Sequence, residues 1–364
     1  MILTRTPLRV SLFGGGTDYP DWFSENGGAI LGMAIDKYVY VGLKHMPPGQ
    51  VGDQGTKINY RVQYSHVDDC VRIADIQHPA VKGALQYLCW DGEKLPLEFH
   101  IFGDLPGRSG LGGSSSCMVG VITTLDVFIT EYLYKNSTDS MIPRHVVLNS
   151  LEDIANLAIH IERNVIKETV GCQDQILAAL GGLRSITFPT DGRWTATNVS
   201  LPQERIQALE DSLVLVYTGI MRNSSEMAAR QIHEQGRNHG SVSHGVFCTP
   251  RFALHLMAQQ AEAGRKVLTS KGEGLDELGP LLHDAWQLKR GITDGLTRPE
   301  VDVLYEHGLA CGATGGKLLG AGGGGYMLFY IPQKNRRRFE QTFGAPTTTF
   351  KISERGTHVL VCND

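Results

Sequence analysis

The 364-residue sequence lacks the features that define several broad functional classes. No stretch reaches the roughly 18 apolar residues that a membrane-spanning helix needs, and the first residues, MILTRTPLRV, lack the apolar core of a signal peptide. Positive charge is not in excess, because 34 Lys and Arg residues stand against 38 Asp and Glu residues, a formal charge of −4. We therefore expect a cytoplasmic protein whose partners are neither membranes nor nucleic acids.

Paired cysteines and familiar metal-ligand spacings are also missing. The seven cysteines are scattered at positions 70, 89, 117, 172, 248, 311 and 362, without a CxxC pair, and the 13 histidines form no HExxH motif. This pattern favours reduced thiols over a disulfide framework or a zinc site. Hydrophobic residues make up 41% of the chain and charged residues 20%, which suits a folded protein with two domains of ordinary size.

Glycine, by contrast, is abundant and clustered. Many of the 43 glycines fall within residues 14–16, 110–113 and 312–325. The phosphate-binding pattern GxxxxGK[ST] is absent, so a Walker-type loop is excluded. Residues 320–325 match GxGxxG but precede a predicted strand at 325–331, whereas a dinucleotide-binding loop follows a strand and opens a helix.

The stretch RSGLGGSSSC, residues 108–117, lies between a predicted strand at 97–106 and a predicted helix at about 115–134. Glycines before a helix let backbone N–H groups approach an anion, and the helix dipole adds positive potential there. The stretch therefore indicates a phosphate site. The alternative is a simple N-cap, in which a serine satisfies the first N–H groups of the helix.

Strands and helices alternate irregularly in both halves of the chain, which favours an α+β fold. Residues 151–168 are predicted to form a helix, with Ser150 and Asp153 as a capping box. The polar, turn-rich stretch at 190–212 indicates a boundary. We expect one domain over residues 1–200 and a second over 201–364.

Four charged residues stand out as candidate functional residues, and each also has a purely structural interpretation. Asp174 begins a short helix and could be its N-cap, and Glu162 lies beside an apolar helix face and could be solvated. Asp18 follows three glycines and could be a turn residue, and Arg9 could face solvent from an otherwise apolar strand.

Three motifs, in order, resemble those of the GHMP kinase superfamily. They are TPLRVSLFGGGTDYP at 6–20, LPGRSGLGGSSS at 105–116 and GGKLLGAGGGGYMLF at 315–329. The resemblance is strongest to the D-glycero-D-manno-heptose 7-phosphate kinase branch, since FGGGTDYP differs from the galactokinase string GEHTDY, and YTGIMRNSS at 217–225 and HDAWQLKRGITDGL at 283–296 also match that branch.

The resemblance implies a two-domain GHMP kinase fold: an N-terminal domain like ribosomal protein S5 domain 2, which binds ATP and sugar, and a ferredoxin-like C-terminal domain. It implies that the second motif holds ATP through Gly107, Ser109, Gly110, Leu111, Gly112, Gly113, Ser114, Ser115 and Ser116. It also implies a Mg²⁺ site formed by Glu162 with Ser114 or Ser115.

The same resemblance assigns catalysis to Asp174 and Arg9, and sugar binding to Gly15, Gly16, Thr17, Asp18, Gly322 and Gly323. The expected reaction is phosphorylation of the anomeric hydroxyl of heptose 7-phosphate, a step toward nucleotide-activated heptose. Because a phosphorylated sugar needs a cationic receiver, Arg222 is the first candidate and Lys289 with Arg290 the second.

Two alternatives stay open. One is a kinase for an unphosphorylated sugar, such as free heptose, fucose or galactose. The other is a non-catalytic sensor of sugar and ATP, which the joint presence of Asp174, Glu162 and Arg9 disfavours. The partners expected are ATP and a small sugar phosphate, and a homodimer is left open.

Overall fold

The computed structural model describes residues 1–47, 49–52, 55–133, 148–221, 241–243, 246–270, 274–292 and 297–362. The strands are β1 (Ile2–Phe13), β2 (Gly28–His45), β3 (Tyr60–Gln63), β4 (Val67–Cys70), β5 (Leu97–Gly103), β6 (Leu183–Phe188), β7 (Thr195–Asn198), β8 (Leu213–Tyr217), β9 (Ser241–Ser243), β10 (Val246–Cys248), β11 (Gly315–Leu318), β12 (Tyr326–Tyr330), β13 (Thr347–Thr348) and β14 (His358–Cys362).

The α-helices are α1 (Pro20–Asn26), α2 (Pro79–Tyr87), α3 (Gly113–Val127), α4 (Leu151–His160), α5 (Gln173–Leu180), α6 (Gln203–Ser212), α7 (Pro250–Thr269), α8 (Leu278–Arg290), α9 (Pro299–Cys311) and α10 (Gln333–Thr342). The sequence also predicts a helix near 224–235, which lies outside the described residues.

The larger sheet has eight strands, in the order β14-β1-β2-β5-β3-β4, with β6 beside β2 and β7 beside β6. The long strand β2 pairs with β1, β5 and β6 along different parts of its length. The last strand, β14, pairs antiparallel with β1, so the end of the chain returns to the sheet in which it begins. The domain boundary expected at residue 200 stays a prediction.

Helix α3 packs against β1 and β2 and forms much of the core. Met118, Val119 and Val121 are fully buried there. By length and composition alone, the helical segment 113–131 could cross a membrane, contrary to the expectation that no such stretch exists. However, 72% of the apolar 18-residue stretch within this segment is buried inside the protein, which is the environment of a core helix.

The smaller sheet has four antiparallel strands in the order β11-β12-β8-β13. A second apolar core lies on it and includes the fully buried Trp286, Tyr305 and Phe329. Strand β12 follows the glycines of 320–325, as expected for a loop that is not a dinucleotide-binding loop. The described residues therefore form the predicted α+β fold.

The helix predicted at 151–168 begins at Leu151 as expected, but its α-helical part ends earlier. Ser150 caps α4, since its side chain accepts a hydrogen bond from the backbone N–H of Asp153. The α-helix ends at His160 and is followed by a wider turn, in which the N–H of Ile166 donates to the carbonyl of Ile161. Such a five-residue turn changes the direction of the side chains within it, and Glu162, which lies in this turn, is buried.

Candidate active site

A cavity of about 270 Å³ is lined by residues from both halves of the chain. Strand β1, the turn after it and the start of α3 line one side, and Lys289, Lys317 and Gly320 line another. The predicted site residues in its lining are Arg9, Gly15, Gly16, Asp18, Ser109, Gly110, Gly112, Gly113, Ser114, Ser115 and Asp174. Residues that are far apart in sequence thus come together as the resemblance implied.

Arg9 and Asp174 form an ion pair at this cavity. Arg9 is only 4% exposed, so the solvent-facing alternative is wrong. Its Nε and Nη2 atoms each donate to a different carboxylate oxygen of Asp174, both at 2.7 Å. Its Nη1 atom donates to the carbonyl of Gly110 at 2.5 Å. Asp174 is in the first turn of α5, where Cys172 is the N-cap residue, so the capping alternative is also wrong.

Asp18 lies close by and is almost completely buried. Its carboxylate accepts hydrogen bonds from the backbone N–H groups of Gly16, at 3.1 Å, and Gln173, at 3.2 Å. Burial, and then the charge of Asp174, raise the pKa of Asp18. Gly171 makes room for it, because a Cβ there would lie 2.0 Å from Asp18 Oδ2.

The N-terminus of α3 carries no side-chain cap. Its N-cap residue, Gly112, has a left-handed backbone with φ of 76°, which favours glycine. The alternative in which serines satisfy the first N–H groups is therefore wrong: the Ser115 hydroxyl donates to Glu162, and that of Ser116 donates to the carbonyl of Pro7 at 2.8 Å. An uncapped helix end at a cavity is suited to an anion.

Glu162 is 1% exposed, so the solvated alternative is wrong. It accepts hydrogen bonds from Ser115 Oγ, at 3.0 Å, and from the side-chain amide of Gln175. Burial raises the pKa of Glu162 to about 8, although these two hydrogen bonds act in the opposite direction. A buried carboxylate with neutral partners and an adjacent hydroxyl is a suitable donor set for a hard cation such as Mg²⁺.

The two serines proposed for the metal differ in position. Ser115 is buried and contacts Glu162, whereas Ser114 is exposed and lines the cavity. The contact with Glu162 favours Ser115 as the second ligand. Both metal-ligand assignments stay predictions.

Several predicted nucleotide and sugar residues do not line the cavity with their side chains. Gly107 is exposed outside the lining, and Leu111 is fully buried in the core. Ser116 is bonded to the backbone, as described above. Thr17 is buried, and its hydroxyl donates to the carbonyls of Gly14 and Ala29, so it holds the turn together.

The residues proposed from the second half of the chain differ in whether they line the cavity. Gly322 and Gly323 are buried outside the cavity lining, and Arg222 lies outside the described residues. Arg290 pairs with Asp302 at 3.1 Å, also away from the lining. Lys289 does line the cavity, and its ammonium donates to the carbonyls of Leu318 and Gly320.

The lining residues that were not predicted from the sequence include Ser11, Gln173 and Lys317. Lys317 carried a usable signal, because a lysine in the short, buried strand GGKL is unexpected. The sequence contains no comparable signal for Ser11 or Gln173, because a serine is ordinary in a strand and a glutamine is ordinary at the start of a helix. Their role depends on contacts that only the fold reveals.

Comparison with known proteins shows similarity to kinases of small molecules. Residues 79–182 match the family described as GHMP kinases N terminal domain. The D-glycero-alpha-D-manno-heptose 7-phosphate kinase of Campylobacter jejuni is 29% identical over 332 residues, covering 91% of this chain and 89% of that protein. The galactokinase of Pyrococcus furiosus is 26% identical over 347 residues, covering 91% and 89%.

The fold also has a solved counterpart. A crystal structure described as a D-glycero-D-manno-heptose 1-phosphate kinase from Bacteroides thetaiotaomicron superposes with a TM-score of 0.71 at 18% identity, covering all of both chains. The two-domain GHMP kinase fold and the GHMP kinase resemblance are thus confirmed. The predicted enzyme class, an ATP-dependent phosphotransferase acting on a sugar, is confirmed as well.

Proposed function

We propose that the chain transfers the γ-phosphoryl group of ATP to the anomeric hydroxyl of D-glycero-D-manno-heptose 7-phosphate, giving the 1,7-bisphosphate. The observation that carries this proposal is the Arg9–Asp174 pair, which also contacts Gly110 beside an uncapped helix end. One cavity thus combines an uncapped helix end, a carboxylate held by an arginine and polar side chains suited to a sugar. The named relatives support a sugar kinase.

The nucleotide phosphates would lie at the start of α3. The backbone N–H groups of Gly113, Ser114 and Ser115 provide donors there, and the helix dipole favours negative charge. Arg9 lies between this helix end and Asp174, where it would neutralise charge on the transferred group. Phosphoryl transfer depends mainly on such positioning and charge neutralisation.

Glu162 and Ser115 are the residues that would hold Mg²⁺. When bound, the ion neutralises phosphate charge and orients the phosphate oxygens. One carboxylate and one hydroxyl are a sufficient protein contribution, because Mg²⁺ keeps several waters and also binds phosphate. Ser115 lies in the first turn of α3 and lines the cavity, and Glu162 contacts it from outside the lining.

Asp174 would contact the sugar hydroxyl that attacks. Its carboxylate is held by two hydrogen bonds from Arg9 but stays 24% exposed on the cavity side. In that position it can orient the hydroxyl and accept its proton. Asp18 would accept hydrogen bonds from other hydroxyls of the sugar, and Gly15 and Gly16 leave room for a substrate larger than galactose.

Incubation of the protein with Mg-ATP and a panel of sugars tests this proposal. The panel contains heptose 7-phosphate, free heptose, fucose, galactose and mannose, with ADP release as the rate and phosphorus NMR to assign the product. We expect heptose 7-phosphate to be preferred and a new anomeric phosphate to form. Preference for an unphosphorylated sugar would establish the first alternative, and no ADP release with any sugar in the panel would favour the non-catalytic sensor.

A further inference from the structure

Lys317 is a buried cation that the proposed mechanism does not use. It is 2% exposed, lines the cavity from β11, and donates to the carbonyl of Leu12 at 2.9 Å. In the described part of the chain, no carboxylate forms an ion pair with it. Burial, and then the nearby charge of Arg9, lower the pKa of Lys317 to about 7. The charged form of this lysine is therefore costly until an anion arrives.

Two neighbouring side chains have polar atoms without hydrogen-bond partners. The hydroxyl of Ser11 and the amide oxygen of Gln173 are both buried, and neither has a partner among the described residues. Both line the same cavity as Lys317. A Cβ added to Gly15 would lie 3.4 Å from Ser11 Oγ and 3.7 Å from Gln173 Nε2, so the space between the two side chains exists because residue 15 is glycine.

Unpartnered polar atoms in a folded protein are uncommon, because each one costs free energy of desolvation. A cation without a counter-ion adds to that cost. Three such groups lining one cavity are explained if a ligand provides the missing partners: an anion for Lys317 and Ser11, and a hydroxyl that donates to the amide oxygen of Gln173. The α3 end of the cavity already has its own donors for the nucleotide phosphates, so this ligand is the sugar.

We propose that Lys317 and Ser11 bind the phosphate that the sugar already carries, and that the amide oxygen of Gln173 accepts a hydrogen bond from a hydroxyl of the same sugar; this proposal rests on the proposed function. Ser11 and Leu12 lie two and three residues beyond Arg9 on β1, about 7 to 10 Å along the strand. That separation suits a sugar whose anomeric hydroxyl is at Asp174 and whose phosphate is at its other end. The ammonium of Lys317 and the hydroxyl of Ser11 donate to the phosphate oxygens.

The test compares heptose 7-phosphate with free heptose in the wild type, Lys317→Met, Ser11→Ala and the surface control Lys334→Met. In Lys317→Met we expect the KM for heptose 7-phosphate to rise about 10- to 100-fold, as one lost charge-assisted hydrogen bond implies. The KM for free heptose and for ATP stay within about twofold. Ser11→Ala raises the same KM by a smaller factor without lowering the melting temperature, because the hydroxyl has no partner within the protein. Lys334→Met behaves as the wild type.

Equal effects of Lys317→Met on both sugars, or a loss confined to kcat, would overturn the subsite. A second arm does not depend on the sugar: inorganic phosphate is titrated into the protein saturated with Mg²⁺ and a non-hydrolysable ATP analogue. If the wild type binds inorganic phosphate and Lys317→Met does not, the result supports the subsite even if heptose 7-phosphate is not the substrate. Absent or unchanged binding overturns it.

Discussion

Arg9 and Asp174 form a bidentate ion pair although they are 165 positions apart in the chain. Two nitrogens of the guanidinium each lie 2.7 Å from a different oxygen of the carboxylate. This geometry fixes the direction of Asp174 at the cavity. A planar guanidinium can hold a carboxylate in this way, whereas a lysine ammonium cannot. The pair therefore connects the first sequence motif to the residue that is proposed to contact the attacking hydroxyl.

Asp174→Asn tests this catalytic assignment. The amide keeps the size of the side chain but cannot accept a proton, so we expect kcat to fall by about 10² or more. Nucleotide binding should stay near the wild-type value, because the donors assigned to the phosphates are backbone N–H groups at the start of α3, which the substitution leaves in place. Steady-state kinetics and nucleotide titration measure both. Turnover like that of the exposed control Asp191→Asn would contradict the assignment.

Glu162→Gln tests the metal site. A neutral amide is a poorer ligand for a hard cation, so the Mg²⁺ concentration for half-maximal rate should rise. Ser115→Ala should raise it more than Ser114→Ala, because only Ser115 contacts Glu162. The measurement is a Mg²⁺ titration of rate at saturating ATP and sugar, with Glu93→Gln as the surface control. An unchanged titration for Glu162→Gln would remove this residue from the metal site.

Two adjacent glycines should behave differently when replaced by alanine. Gly14 has φ of 85°, and an added Cβ would lie 1.8 Å from the carbonyl oxygen of Ala29, so Gly14→Ala should lower the melting temperature strongly. At Gly15 the nearest contact of a Cβ is an ordinary 3.4 Å. Gly15→Ala should fold normally but raise the KM for the sugar, because the methyl group occupies substrate space. A large loss of stability in Gly15→Ala would show that residue 15 serves the fold.

Lys317→Met has a pH-dependent consequence for stability. The pKa of Lys317 is about 7 in the folded protein, against an ordinary 10.5. Between these values the unfolded chain holds a proton that the folded protein lacks, so the free energy of unfolding rises with pH. Below pH 7 the folded protein carries the full free-energy cost of burying the charged Lys317. Lys317→Met should therefore stabilise the ligand-free protein most near pH 6, with a gain that shrinks toward pH 10.

Urea unfolding at pH 6, 8 and 10 measures this difference between Lys317→Met and the wild type. Only the trend with pH is diagnostic, since a new methionine also changes packing by an amount that does not depend on pH. Lys334→Met should show no trend. A difference between Lys317→Met and the wild type that is constant with pH would mean that Lys317 keeps an ordinary pKa.

The sequence predicted the motifs and their joint location, but not how each side chain is used. Arg9, Asp18 and Asp174 carry recognisable charges within motifs, so their convergence could be expected. Ser115 and Ser116 are identical in type and adjacent, yet one hydroxyl faces Glu162 and the other the backbone at Pro7. Helix phase decides such differences, and sequence alone does not fix that phase at a helix start.

The other features that the sequence did not predict have related physical causes. The α-helix that begins at Leu151 was expected to run to 168, and its apolar periodicity gave no sign of the wider turn that contains Glu162. The burial of Lys317 depends on the second sheet, which packs next to β1 only in the folded chain. Interactions between distant segments are invisible to local patterns.

The most direct test of the substrate assignment is a competition in one tube. Equal concentrations of heptose 7-phosphate and free heptose compete for limiting Mg-ATP, and phosphorus NMR measures the two anomeric phosphates as they form. The product ratio equals the ratio of kcat/KM values. We predict that the 1,7-bisphosphate exceeds heptose 1-phosphate by about 10-fold or more, since a phosphate contact contributes about 1.5–3 kcal/mol. A ratio of one or below would contradict the sugar-phosphate assignment.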